Sequence, residues 1–165
     1  MQKDIRTKAF VLRRTNYGEA DRILTLLTEN GEKSVIAKGV RKEKSKLAGG
    51  IELFCLSEVV IHEGKNNKLG ILTSAKMLTF FQTIPVDIKK LELASMILTN
   101  TSRFAKDKES PEYFNLIHQS FTAINDNMNF ELVEAWFWLN LAKINGEQLN
   151  LFRDTNNDVL DSQKK

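Results

Sequence analysis

The sequence predicts an α+β chain: a small five-stranded antiparallel barrel in the first half and a small helical domain in the second. Two features of the hydrophobic pattern carry this. From Ile5 to Ala75 the apolar runs are short, rich in β-branched residues and broken by turn residues, and after Pro85 the apolar period lengthens from two residues to about 3.6. Charge divides the chain at the same place. Residues 1–82 hold fifteen Lys and Arg against nine Asp and Glu, a net +6, which leaves −3 for the remainder of a chain of net +3. A basic half joined to a mildly acidic one points to a polyanion as partner of the first half.

Strands are expected at residues 5–13, 22–28, 33–38, 52–62 and 68–75. The breaks at Asn16-Tyr17-Gly18, Glu29-Asn30-Gly31, 46–50 and 64–67 supply residues that tolerate the positive φ of a turn. In the fourth strand the two-residue period puts Leu53, Cys55, Ser57, Val59 and Ile61 on one face and Glu52, Glu58 and His62 on the other. One face therefore meets a core. Five strands with no helix long enough for a crossover favour a small antiparallel barrel, an SH3-like barrel being the nearest competitor.

The second half predicts three helices. The first, at 86–104, aligns Ile88, Leu91, Ser95 and Leu98 on one face, with Ala94 and Met96 beside it. Ser110-Pro111 reads as an N-cap with proline in the first turn, opening a helix that carries Phe114, Ile117, Phe121 and Ile124. The third, at 130–144, aligns Phe130, Val133, Phe137, Leu141 and Ile144 and stops at Asn145-Gly146. Trp136 and Trp138 lie about 200° apart on the wheel, which predicts one in the core and one at the rim. Between the halves, Phe80, Phe81 and Ile84 ahead of Pro85 are too apolar for a free linker and are expected to be buried between barrel and helices. The expected domains are 1–80, the barrel, and 81–146, the helical domain, with a polar, frayed or loosely docked tail at 147–165.

Composition and inventory narrow the function. With 165 residues, 42% hydrophobic and 27% charged, the chain is globular rather than disordered. No apolar run is long enough to span a membrane, and the charged start MQKDIRTK lacks the apolar core of a secretory signal, so the cytoplasm is the expected location. One cysteine, Cys55, excludes an internal disulfide and a cysteine-based zinc site. Placed among Leu53, Phe54 and Leu56, it reads as a small core hydrophobe rather than a nucleophile. His62 and His118 have no carboxylate at strand or helical spacing. The stretch 39–45 lacks the second glycine of a phosphate-binding loop, and 154–158 lacks the glycine and glutamate of a calcium loop. No catalytic residue, cofactor or metal site is expected, and the chain is not expected to be an enzyme.

The densest feature is the stretch Lys38 to Lys46, five Lys or Arg in nine residues between two strands. A flexible basic loop at a barrel edge fits a phosphate backbone without reading bases. Arg6, Lys8, Arg13 and Arg14 extend the same surface if the first strand lies beside the loop. Tyr17, Phe10 and Phe54 are the candidates for base stacking.

The order of residues says more. The run Val11-Leu12-Arg13-Arg14-Thr15-Asn16-Tyr17-Gly18-Glu19-Ala20-Asp21-Arg22-Ile23-Leu24-Thr25-Leu26-Leu27-Thr28, followed by Gly31, Ala37-Lys38-Gly39-Val40-Arg41-Lys42 and Lys44-Ser45-Lys46-Leu47-Ala48-Gly49, resembles the N-terminus of the bacterial recombination mediator family RecO. The likeness covers roughly residues 5–145 and is densest in the first 80. It implies an N-terminal OB-fold barrel followed by a helical domain. It also implies binding of single- and double-stranded DNA, strand annealing, and loading of RecA together with RecR and single-stranded DNA-binding protein, in the cytoplasm near the nucleoid. The residues it places on DNA are Arg13, Arg14, Lys38, Arg41, Lys42, Lys44 and Lys46. Tyr17, Gly18, Glu19 and Asp21 match the motif in a structural role, the carboxylates pairing with arginines or capping backbone amides. The four-cysteine zinc module that many family members carry beyond the third helix is absent from this sequence, and Ile144-Asn145-Gly146-Glu147 stands where the family has leucine-glycine-tyrosine. The alternative function is a protein-interaction adaptor with only weak DNA binding.

Overall fold

The computed structural model of the chain describes residues 4–63 and 69–146. Five strands, β1 (Asp4–Tyr17), β2 (Asp21–Thr28), β3 (Gly31–Ala37), β4 (Cys55–His62) and β5 (Gly70–Phe80), close into a barrel in the order β1-β2-β3-β5-β4. This is the OB-fold arrangement rather than an SH3-like one. The barrel is not wholly antiparallel as expected: β3 and β5 run parallel at Val35↔Gly70 and Ile36↔Ile71. The reason is parity, since a closed ring with an odd number of strands cannot alternate direction at every junction.

β1 is longer than the expected 5–13 because it serves two neighbours. Its first half pairs with β4, from Asp4↔His62 to Phe10↔Leu56, and its second half with β2, as far as Tyr17↔Asp21. Ala9 and Phe10 pair with both neighbours, and a register shift between Val11 and Arg13 follows in the ladder with β2. β4 starts at Cys55, not 52, because Phe54 adopts a left-handed backbone (φ 60) that no strand accommodates. β5 runs on to Phe80 beyond the expected Ala75. Its expected start at 68, the turn at 64–67 and the tail at 147–165 lie outside the described residues.

The barrel interior is filled by Val11, Leu24, Leu26, Val35, Val59, Ile61 and Leu72. A second core lies outside the barrel wall, where Phe10, Leu12 and Leu27 meet Phe54, Leu56, Phe81, Ile84 and the buried faces of three helices. Phe10 sits 5.1 Å from the Phe114 ring and 5.7 Å from the Phe121 ring, centroid to centroid. Each such side chain contributes about 1.5–3 kcal/mol by leaving water, so barrel and helices share one apolar contact rather than a tether.

The helices are α1 (Ile88–Ala105), α2 (Pro111–Asn125) and α3 (Phe130–Ile144). Asp87, Ser110 and Asn129 cap them, their side chains accepting from Lys89 and Lys90, Glu112, and Leu132 backbone N–H groups. The α2 stripe is buried as expected, and so are Val133, Phe137 and Leu141 of α3. In α1 the buried face is Lys90, Leu93, Ala94, Ile97, Leu98, Thr101 and Ala105, turned away from the expected one, and Ile88 is exposed. Lys90 explains the turn. Its Nζ donates to Thr83 Oγ1 at 2.8 Å and Asn127 Oδ1 at 2.7 Å, and Thr83 Oγ1 donates in turn to Asn125, so a buried polar knot rather than an apolar residue fixes the start of α1.

Two further expectations fail. Phe81 (3% exposed) and Ile84 are buried at the joint, but Phe80 is 44% exposed because successive residues of β5 point to opposite sides and only one side of its end meets the helices. Neither tryptophan is a core residue. Phe137, between them, takes the inward position, with Trp138 against its edge at 5.3 Å and Trp136 left on the outer side.

Candidate nucleic-acid interface

The basic loop is built, not loose. Gly39 has a left-handed backbone (φ 62) and its N–H donates to Asp21 Oδ1 at 2.6 Å. The next anchor is Arg41, whose backbone N–H donates to Ala20 O at 2.9 Å and whose Nη1 donates to Gly18 O at 3.2 Å. Between them Val40 is buried in the barrel core. The chain then turns twice, Lys42 N–H donating to Gly39 O and Ser45 N–H to Lys42 O, before Gly50 packs against the backbone of Ala75 and Ile51 re-enters the core. The loop's start is therefore anchored to the barrel, while Lys42, Lys44 and Lys46 stand exposed beyond it. The start of the loop is fastened to the tip of the β1–β2 hairpin, because each left-handed glycine exposes backbone groups that Asp21 and Arg41 satisfy.

The expected residues are not equivalent. Lys38, Lys42, Lys44 and Lys46 are exposed and, among the described residues, carry no ion pair. Arg41 belongs to the same loop but spends donors on Gly18. Arg14 pairs across to the interior residue Leu24, and its guanidinium donates to Glu52 at 2.8 Å, so that charge is largely answered. Arg13 faces the other way, opposite Thr25 on the outer wall, close enough to the helical side for its charge to act on Glu32. The two neighbours therefore cannot extend one surface together. Arg6 is paired with Glu58 at 3.2 Å.

Of the stacking candidates, Phe10 and Phe54 are core residues, whereas Tyr17 is 54% exposed at the hairpin tip, beside the carbonyl that holds Arg41. A positive loop edged by one accessible ring can meet both a phosphate and a base. Asp21 acts as the amide cap that the motif implied, and Arg22 Nε donates to Asn16 Oδ1 at 3.1 Å across the same hairpin.

Elsewhere the chemistry is sparse. Burial pushes the Cys55 thiol up, and its Sγ–H donates to Glu52 O at 2.9 Å, which is the environment of a packing residue. His62 does have a carboxylate partner, Asp4 Oδ1 at 2.7 Å, a contact made by cross-strand pairing and so invisible to spacing along the chain. His118 is half-buried against the Phe10, Phe81 and Phe114 rings. Among the described residues no group of three or more His, Cys, Asp or Glu could hold a metal ion, and no helix is long and apolar enough to cross a membrane. A cleft between β3 and the α1–α2 connection is lined by Glu32, Glu63, Asp107 and Glu109 as well as Lys33 and Lys108, a poor match for a polyanion.

A sequence profile described as recombination protein O N terminal matches residues 1–81. The chain is 33% identical over 145 residues to the DNA repair protein RecO of Dehalococcoides mccartyi, a match covering 87% of this chain and 56% of that one. It is 41% identical over 113 residues to the RecO protein of Heliobacterium modesticaldum, covering 68% and 41%, and 31% identical over 148 residues to that of a Roseiflexus species, covering 89% and 52%. The chain belongs to the RecO family. It spans about half the length of the curated RecO relatives it matches. The matched N-terminal region of RecO contains both the hairpin tip and the basic loop described above.

Proposed function

We propose that this RecO chain is a non-catalytic DNA-binding protein of DNA repair. The reading extends to annealing of complementary strands and to helping load RecA on single-stranded DNA with RecR and single-stranded DNA-binding protein. The observation that carries it is the set of four exposed lysines, Lys38, Lys42, Lys44 and Lys46, which carry no ion pair among the described residues and stand on a loop fastened to the barrel by Asp21 and Arg41. Lysine ammonium groups are point charges that meet phosphates without a fixed fork, so binding is driven by counterion release and is indifferent to sequence. Arg41 belongs to the same proposed DNA-binding set, chiefly as the loop's anchor, whereas Arg13 and Arg14, on opposite faces of β1 and with Arg14 held by Glu52, do not extend it together. Both single- and double-stranded DNA carry the phosphates this surface needs.

Titration of labelled single-stranded DNA at two salt concentrations tests the reading. Four to six phosphate contacts give a slope of log K against log salt of about −3 to −4. Absence of binding at low salt, or binding indifferent to salt, would remove the DNA reading and leave the helical part as a protein-interaction adaptor.

A further inference from the structure

The helix α3 is apolar on two opposite sides. Val133, Phe137 and Leu141 enter the shared core, while Leu132 (68% exposed), Trp136 (38%) and Leu139 (44%) form a second stripe facing away from it. Three residues at spacings of four and three fall on one line of the helix, and a helix that is apolar all round is ordinarily buried all round. Contiguous exposed apolar surface of this kind needs a cover.

The exit of α3 indicates which cover. Asn145 N–H donates to Leu141 O and Gly146 N–H to Lys143 O, and Gly146 is left-handed (φ 80), a turn that ends the helix there. The residues that follow at once include Leu149, Leu151 and Phe152. From Gly146 back to Leu139 is about 10 Å along the helix and to Trp136 about 15 Å. Three to six residues of chain span about 10–20 Å, so a segment holding Leu149, Leu151 and Phe152 is long enough to reach the stripe.

We propose that the Leu132–Trp136–Leu139 stripe is the seat of this chain's own segment 149–152. The helix then forms the middle layer of the helical part, with the α1–α2 core on one side and the returning chain on the other.

Trp136 and Trp138 are the protein's two tryptophans, so Trp138→Phe leaves one reporter on the stripe. In full-length Trp138→Phe protein, the indole at 136 is expected to be shielded from acrylamide. Adding Leu149→Asp, Leu151→Asp and Phe152→Asp raises the quenching constant about twofold or more and shifts emission to the red, with the far-ultraviolet circular dichroism unchanged. A second measurement is independent of that variant's folding. A bimane on Leu149→Cys is quenched by Trp136 and recovers its emission when Trp136 is changed to Phe, while Cys55 remains buried. An indole equally quenched with and without the three aspartates, or a bimane indifferent to Trp136, overturns the proposal. Shielding that grows with protein concentration overturns it in favour of a second copy as the cover.

Discussion

The carboxylate of Asp21, at the start of β2, accepts the backbone N–H of Gly39 at the far end of β3 at 2.6 Å. The motif residue on the hairpin and the basic loop are thus one structure, and the lysines stand on a base the hairpin supplies. Asp21→Ala is expected to release the loop, costing about 1.5–3 kcal/mol for a hydrogen bond to a charged group. DNA affinity falls while the salt slope is unchanged, because the number of lysines is unchanged. Asp21→Asn keeps an acceptor oxygen and recovers most of both. Thermal unfolding and DNA titration of the two variants check this, and equal losses in both would sink it.

Changing Lys38, Lys42, Lys44 and Lys46 together to alanine is expected to flatten the salt slope by about 2–3, since each lysine on a single strand accounts for about 0.7. Stability hardly moves, because exposed and unpaired charges contribute little to the fold. An unaltered slope would put the DNA elsewhere on the barrel.

Tyr17→Ala has the opposite signature. One lost stacking contact costs about 1–3 kcal/mol of single-strand affinity, with the slope kept and little effect on duplex, whose bases are already stacked. Tyr17→Phe binds like the unaltered protein. A loss shared by Phe would assign the role to the hydroxyl instead of the ring.

Much of this was legible in the residues and some could not be. The period-two strands, the α2 stripe and the caps at Ser110 and Asn145-Gly146 follow from local rules, and α3 ends where the sequence predicts. What local rules miss is the second neighbour. β1 is extended by a change of partner, Leu56 is buried on the outer wall because helices lie there, and His62 finds Asp4 across a ladder. For the site, the basic residues could be found by counting. Their division could not, because whether Arg14 meets Glu52 or Arg13 stands opposite Thr25 on the outer wall depends on which wall each occupies.

Glu32 gives a pH prediction. Burial, with the nearby Asp107 charge adding to it, raises its pKa above the ordinary 4.5, against smaller opposing effects of Lys106 and Arg13, and its Oε2 is buried with no hydrogen-bond partner among the described residues. An acid whose folded pKa is raised is bound more tightly to its proton in the native state, so it lowers stability above the folded pKa and ceases to do so below 4.5. Glu32→Gln is therefore expected to raise the melting temperature at neutral pH, with the gain shrinking as pH falls towards 4.5. A gain that is the same at every pH would show that shape, not charge, is the cause.

The joint supplies the last prediction. Phe81 lies 5.5 Å from the Phe121 ring and 6.4 Å from the Phe10 ring, linking α2 to the barrel wall, while its neighbour Phe80 points to solvent. Phe81→Ala should cost about 3–5 kcal/mol, the ordinary loss for a large side chain removed from a core that cannot close around the gap. Phe80→Ala should stay within about 0.5 kcal/mol, as for a surface site. Because Phe10, Phe81 and the helices form one cluster, the loss at Phe81 should lower a single transition. Calorimetry on the unaltered protein and both variants decides it. Two separate transitions, or equal costs at 80 and 81, would mean that the barrel and helices fold without reference to each other.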